Sequence, residues 1–219
     1  METDNRAAIF RLEGALSPRP TLTAAVWLSL NARRVRARVL GLSSLALAAP
    51  LSMGGATSRA VELAWSSLAG MSEDRLIVLG AIYAEEHIIP ALSEIGLDLL
   101  ERCREREQRL VLLSDSLDVV ATPVAEHLGM EVVIANTMEL DESGHATGKL
   151  REPVMHASLG GRVLEQRLAE RSISLRTACA YGSHRDDSPL LGSVALPCAV
   201  TPDRELRRVA RDLDWPVVG

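Results

Sequence analysis

Short apolar runs in the chain predict buried β-strands. The runs are residues 7–10 (AAIF), 109–113 (RLVLL), 131–135 (EVVIA), 176–181 (RTACAY) and 198–200 (CAV). They largely lack the polar alternation of a strand that has one solvent face, which is typical of a parallel sheet covered by helices on both sides.

Segments with helical spacing separate the later runs. They are predicted at residues 118–128, closed by Gly129, and at 161–171, 189–194 and 204–213. Between residues 138 and 150, the turn-forming sequence DESG predicts a hairpin of two short strands. Strands that alternate with helices predict an α/β fold: a doubly wound, Rossmann-like parallel sheet with right-handed crossovers.

Residues 20–100 interrupt this alternation. They are rich in Ala and Leu at helical spacing. Ser72 is expected to cap one helix, and Pro90 to open another that runs through Leu100. We therefore predict an α/β core formed by residues 1–17 and 101–219, with an inserted all-helical cap at residues 18–100.

Three polar segments should converge in this fold, because ligands in open α/β sheets bind beyond the carboxyl ends of the strands. These segments are Arg11–Gly14, Ser114–Ser116 and Gly182–Asp187. They predict where any functional site lies.

The net charge and the cysteine count exclude some classes of function. The 219 residues include 24 basic and 29 acidic side chains, a formal charge of -5, which argues against nucleic-acid binding through overall basicity. The three cysteines, Cys103, Cys179 and Cys198, lack metal-ligand spacing and are expected to be small core fillers. Their odd number, and a first segment unlike a secretory leader, predict a cytoplasmic protein.

A basic and then apolar stretch allows two interpretations. Arg33, Arg34, Arg36 and Arg38 precede an apolar run at residues 39–56. Pro50, several serines and paired glycines interrupt the run, which favours buried cap helices over a membrane span. Binding of the cap to a membrane surface or a protein partner is the alternative.

Four segments resemble the haloacid dehalogenase-like phosphatases, in the branch that includes phosphoserine phosphatase. They are the helical insertion, the LVLLSDS segment, EVVIA with its Gly144 hairpin, and the stretch AYGSHRDDSPLLGSVALPCAVTPDRELRRVARDLDWPVV. The resemblance implies a Rossmann-like core with a C1-type helical cap. It also implies an aspartyl-phosphate mechanism that uses two acids on the first loop, a hydroxyl and a Lys that hold phosphate, and Mg²⁺.

The first loop departs from the family pattern. The expected Asp-x-Asp-Gly-Thr is Arg-Leu-Glu-Gly-Ala, so Arg11 stands at the nucleophile position, Glu13 at the acid/base position and Ala15 at a hydroxyl position. A guanidinium stays protonated, has no lone pair for attack on phosphorus, and repels a metal ion.

The other motif positions are partly changed. Ser114 keeps the phosphate-binding hydroxyl, and Arg162 stands at the lysine position. Ser183 replaces one metal-binding Asp, while Asp187 remains, with Asp186 beside it. This incomplete ligand set predicts weak Mg²⁺ binding at most, and no cofactor is expected.

Three hypotheses follow. The first is a catalytically silent protein in which Arg11, Ser114 and Arg162 bind a phosphate or another small anion, or in which Arg11 pairs with Asp187 or Glu13 and fills the site. The second is a phosphomonoester hydrolase with a changed mechanism, in which Glu13 activates water; a Ser183–His184 nucleophile–base pair is the weaker variant. The third is an interaction module that acts through the helical cap. Ligand identity and oligomeric state stay open.

Overall fold

The core of the protein is a six-stranded parallel sheet. The structure is a computed structural model that describes residues 6–31, 63–155 and 162–219. The strand order is β3-β2-β1-β6-β7-β8, and every neighbouring pair is parallel. The sheet strands are β1 (Ala7–Arg11), β2 (Arg109–Leu117), β3 (Val132–Asn136), β6 (Cys179–Gly182), β7 (Leu196–Val200) and β8 (Val217–Val218). The predicted doubly wound α/β fold is confirmed.

Helices alternate with these strands in the described parts of the chain. They are α1 (Thr21–Leu30), α2 (Glu73–Tyr83), α3 (Glu94–Glu105), α4 (Asp118–His127), α5 (Arg162–Ala169), α6 (Ser188–Leu191) and α7 (Arg204–Asp212). A π-helical turn at Ala84–Ile88 and a 3₁₀ turn at Ile89–Ala91 continue α2. A separate hairpin pairs β4 (Met138–Leu140) with β5 (Ala146–Leu150), as the DESG turn predicts.

Both faces of the sheet are covered, which explains the continuous apolar runs. One face places Phe10 of β1 in a buried cluster with Leu100 of α3 and Val120 of α4. The other face places Ile9 in a second cluster with Leu164 of α5 and Leu206 of α7. All five residues of β1 are buried, so its last side chain, Arg11, enters the protein interior.

Two predicted boundaries are wrong. Pro90 lies in the 3₁₀ turn, and α3 begins only at Glu94, because Leu92 is extended and the Ser93 hydroxyl caps the helix by accepting from Gly96 N at 3.3 Å. The segment Ser114–Ser116 is part of β2 and does not form a separate loop. The short strand β8 was also missed, because only two residues form it.

Helices α1 and α2 lie in the described part of the predicted cap, while residues 67–72 between them form turns and a bridge of Ser72 to His145. Ser72 does occupy the cap position of α2, although its side chain makes no capping hydrogen bond. Helix α2 packs tightly on α4: a Cβ on Gly80 would lie 2.3 Å from the Val119 carbonyl oxygen. The boundaries of the core and the cap stay a prediction.

The basic and apolar stretch at residues 33–56 lies outside the described residues. Across 6–31, 63–155 and 162–219, no single helix combines the length and apolar character needed to cross a membrane. Segments 73–91 and 94–105 meet this test only as a pair, with a bend of 96° between them.

Candidate functional site

A tight turn after β1 brings the first loop against the loop that follows β6. The Leu16 amide donates to the Arg11 carbonyl at 3.2 Å, and the Ser17 amide to the Leu12 carbonyl at 2.8 Å. Gly14 has φ +90°, and a Cβ there would lie 2.6 Å from atoms of both Ser183 and His184. The turn therefore requires glycine for its conformation and for close packing.

Arg11 lies at the centre of this site. Its guanidinium binds Asp115 in a forked arrangement, with Nη1 3.2 Å from Oδ1 and Nη2 2.8 Å from Oδ2. Its Nε donates to Asp187 Oδ1 at 3.0 Å, and Nη2 lies 3.6 Å from Glu13 Oε2. The residue is only 3% exposed, so these partners replace water around the charge.

Asp187 connects Arg11 to the loop after β6. Its second oxygen, Oδ2, accepts from the Ser183 amide at 2.8 Å and from the His184 amide at 2.9 Å. With Arg11 on Oδ1, both oxygens of this buried carboxylate are engaged within the protein.

Glu13 accepts hydrogen bonds from three donors. Its Oε1 accepts from the Ser114 hydroxyl at 2.7 Å and from the Thr21 hydroxyl at 3.0 Å, while Oε2 accepts from the Asp115 amide at 3.4 Å. Burial raises the pKa of Glu13 above its ordinary value; Arg11 opposes this effect and Asp115 adds to it.

Side-chain hydrogen bonds hold the backbone around Ser114 and Asp115 in place. Ser114 Oγ accepts from the Ser116 amide at 3.0 Å. Asn136 Nδ2 donates to the carbonyl oxygens of Asp115 at 2.7 Å and Met155 at 2.8 Å, and Asn136 Oδ1 accepts from the Met155 amide at 2.6 Å. These bonds hold the Asp115 backbone in the position from which its carboxylate reaches Arg11.

The electrostatic balance of the site is three carboxylates around one guanidinium. Burial alone would lower the pKa of Arg11, but Asp115, Asp187 and Glu13 together raise it above its ordinary value. Arg11 is therefore a permanent cation whose charge is neutralised locally.

The side chains of the remaining predicted site residues make no hydrogen bond or ion pair with Arg11 or Glu13 among the described residues. Arg162 is the exposed first residue of α5; within residues 6–31, 63–155 and 162–219, no hydrogen bond or ion pair joins it to Arg11 or Ser114. Asp186 is exposed. The Ser183 hydroxyl donates to the Thr201 carbonyl at 3.2 Å rather than to a base.

The residues do not fit the Mg²⁺ ion of the resembled family. In the described parts of the chain, no three His, Cys, Asp or Glu side chains are grouped so that they could hold a metal ion. Both oxygens of Asp187 are engaged, and the guanidinium beside it would repel a second cation.

Sequence analysis assigned no role to two residues that bind the central side chains, although one of them lies in a segment predicted to converge on the site. Asp115 directly follows Ser114, and an acid at the carboxyl end of a predicted strand was an available signal. Thr21 opens the first cap helix, and its contact with Glu13 depends on how the cap folds over the core. No local pattern indicated this contact.

Comparison with known proteins identifies the family of the chain. The sequence model of the haloacid dehalogenase-like hydrolases (HAD) matches residues 8–192. The chain belongs to this family. A histidinol-phosphatase of Neisseria meningitidis is 30% identical over 156 residues, which are 69% of this chain and 70% of that protein.

Two other relatives match a smaller share of their own length. A protein of Streptomyces azureus named for inhibition of morphological differentiation is 30% identical over 60% of this chain, and phosphoserine phosphatase SerB1 of Mycobacterium tuberculosis is 24% identical over 68%. The matches span only 47% and 48% of those two proteins.

Solved structures share the fold. A protein of unknown function from Bordetella pertussis superposes with a TM-score of 0.82 at 22% identity, over 98% of both chains. A probable phosphoserine phosphatase from Vibrio cholerae gives a TM-score of 0.67 at 16% identity, over 98% of this chain and 62% of that one. At these identities the likeness establishes the fold alone.

Proposed function

We propose that this protein is a non-hydrolytic member of the HAD family in which Arg11 closes the phosphatase site from within. The observation that carries this proposal is the buried guanidinium, bound by both oxygens of Asp115 and by Asp187. The side chain at the nucleophile position is thereby fixed in internal ion pairs.

The chemistry of Arg11 supports the loss of the aspartyl-phosphate step. A nucleophile must offer a lone pair to phosphorus, and a guanidinium with a raised pKa has none to offer. The surrounding acids pair with this cation, so they are poorly placed to hold a metal ion as well. Under this proposal, both the attacking group and a suitable ligand set for the family's metal are therefore missing from the site.

The same contacts argue against an anion pocket formed by Arg11, Ser114 and Arg162. The Arg11 guanidinium that would face a phosphate already binds carboxylates, and the Ser114 hydroxyl already donates to Glu13. A phosphate would have to displace these carboxylates from the guanidinium and would meet their negative charge. Closure by internal ion pairs is the version of the silent-site hypothesis that we favour.

Phosphate release from a panel of phosphomonoesters tests the proposal. The panel includes phosphoserine and histidinol phosphate, after the names of two relatives, and p-nitrophenyl phosphate. We expect no release above the protein-free rate, with or without Mg²⁺, between pH 5 and pH 9. Enzymatic release that disappears in Arg11→Ala would overturn the proposal.

Restoring the acids provides the matched positive control. The double variant Arg11→Asp and Ser183→Asp returns the two carboxylates that the family pattern contains. Phosphate release by this variant, but not by the unmodified protein, assigns the silence to these two positions. Release by both proteins contradicts a closed site.

Calorimetric titration with inorganic phosphate separates closure from anion binding. We expect no heat of binding in the unmodified protein. Saturable binding that is lost in Arg11→Ala would overturn closure in favour of the anion pocket. The variant Arg162→Ala then shows whether that residue takes part.

A phosphomonoester hydrolase is the second candidate, favoured by the phosphatase names of the relatives and by the state of Glu13. Burial raises the pKa of this carboxyl, which suits a group that gives a proton to a leaving oxygen. This candidate requires phosphate release that Glu13→Gln abolishes and Asp186→Asn leaves unchanged. No release in the unmodified protein removes it.

A further inference from the structure

A cleft opens where helix α2, helix α4 and the β4–β5 hairpin meet. Its volume is about 570 Å³, which lies within the range of small-molecule sites in proteins. The lining residues come from the two helices, from β4 and from the two positions that flank the hairpin, Thr137 and Arg151. None of them belongs to the group around Arg11, so the cleft is separate from the site described above.

The walls of the cleft are mainly apolar. The lining side chains that are apolar and larger than alanine are Leu76, Ile77, Val119, Pro123, Met138 and Leu140. Ile77 is 50% exposed although it is a large aliphatic residue, so the cleft presents uncovered apolar surface to the solvent. A ligand with an apolar body would remove this surface from water, which is favourable.

The charged residues of the cleft are mostly acidic. Glu73, Asp118 and Glu126 line it, together with one basic residue, Arg151. Glu73 and Glu126 are exposed, and in the described parts of the chain their carboxylates make no hydrogen bond or ion pair. Glu126 also lies in the last turn of α4, where the helix dipole disfavours a negative charge. A cation therefore gains more from this cleft than an anion does.

The hydrogen-bonding groups of the cleft are mainly acceptors. Asp118 Oδ2 accepts from the Thr137 hydroxyl at 2.7 Å, so the proton of that hydroxyl is already used. Pro123 lies inside α4 and has no amide hydrogen to donate to the carbonyl of Val119, four residues earlier. Acceptors in excess suit a ligand that donates several hydrogen bonds, as a primary ammonium group does.

We propose that this cleft binds a small primary amine with an apolar or aromatic body. The apolar walls cover the body of the ligand, and the acidic residues attract its ammonium group. Asp118 already accepts two internal hydrogen bonds, so Glu73 and Glu126 are the expected partners of the ammonium. The proposal does not depend on whether the Arg11 site is silent.

Calorimetric titration of the full chain with three indole compounds tests the proposal. Tryptamine carries an ammonium group, tryptophol a neutral hydroxyl and indole-3-propionate a carboxylate. We expect saturable binding of tryptamine with a Kd below about 1 mM, about fivefold weaker binding of tryptophol, and no binding of indole-3-propionate. The absence of saturable tryptamine binding, or equal binding of tryptamine and indole-3-propionate, overturns the proposal.

Variants locate the bound amine. Glu73→Gln and Glu126→Gln should each weaken tryptamine binding about threefold, because each removes one exposed carboxylate. The matched control is Glu170→Gln, directly after α5 on the opposite face of the sheet, which should bind tryptamine as the unmodified protein does. Equal weakening in Glu126→Gln and Glu170→Gln overturns the proposal.

A bulky side chain inside the cleft provides a test that leaves the charges unchanged. Thr122 of α4 lines the cleft and is half-buried, so Thr122→Trp should fill the space and abolish tryptamine binding. A melting curve verifies that the variant folds. Tryptamine binding of unchanged strength in the folded Thr122→Trp variant places the amine elsewhere and overturns the proposal.

Discussion

Strand β1 ends with two neighbouring residues in opposite kinds of buried environment. Phe10 is surrounded by carbon and stacks on Tyr181, with ring centroids 4.3 Å apart. Arg11, the next residue, is surrounded by three carboxylates. Both side chains are almost fully buried, but different forces hold them.

The two environments differ in how much they depend on particular partners. Apolar packing around Phe10 is roughly proportional to buried area, so another apolar side chain of similar size retains most of it. The Arg11 group depends on specific atoms, because loss of one partner leaves an unpaired charge in the interior. The fold can therefore vary at Phe10 more readily than at Arg11.

The largest effect is expected for Asp187→Ala. This change leaves Arg11 Nε and the amides of Ser183 and His184 without their acceptor. We expect the free energy of unfolding to fall by about 3–5 kcal/mol in urea denaturation. The exposed neighbour Asp186→Ala should change it by less than about 0.5 kcal/mol, and equal effects in both variants would refute the distinction.

Arg11→Lys should have the next largest effect. An ammonium keeps the charge but cannot bind both oxygens of Asp115 and Asp187 in one fixed geometry. The expected loss is about 2 kcal/mol. The matched control is Arg185→Lys in the exposed pair with Glu205, where less than about 0.5 kcal/mol is expected; a similar loss there would show that the buried geometry adds nothing.

Phe10→Leu tests the apolar half of the comparison. The variant loses the ring stack on Tyr181 but keeps a large apolar side chain. We expect a loss of about 1 kcal/mol in thermal or chemical unfolding. A loss as large as that of Asp187→Ala would mean that stability depends on the particular side chain as strongly in the apolar environment as in the charged one.

The smallest effect is a pH dependence that comes from Glu13. Its pKa is raised in the fold by burial, so its contribution to stability is fully present below its ordinary pKa of 4.5 and is lost as the pH rises through the folded-state pKa. Glu13→Gln is neutral at every pH and avoids this loss. The stability of the variant relative to the unmodified protein should therefore increase as the pH rises above 4.5. A constant difference across that range would contradict the assignment.

The same contrast explains what could be predicted from the sequence. The strands around Ile9 and Phe10 were predictable because burial on both faces leaves continuous apolar runs. The departure at Arg11 was visible because the family motif fixes that position. The orientation of the Arg11 guanidinium toward Asp115 was not visible, since it depends on the parallel pairing of β1 with β2, which brings residues 104 positions apart into contact.

Local signals also failed where tertiary contacts overrode them. Proline is a common first residue of a helix, which led to the prediction that a helix begins at Pro90. The backbone is extended at Leu92, however, and the helix begins after Ser93. The contact between Cys103 and the Tyr181 hydroxyl was likewise hidden, because each residue alone fits a core position. Burial was predictable from each residue, whereas its partner was not.

Transfer of a labelled phosphoryl group tests the central claim about Arg11 most directly. The purified protein is mixed with ³²P-labelled phosphomonoesters and Mg²⁺, quenched in acid, and separated from free label; the Arg11→Asp and Ser183→Asp double variant is treated in parallel. We predict no protein-bound label on the unmodified chain. Acid-stable label on the peptide that contains residues 11–15 of the unmodified chain would contradict the account.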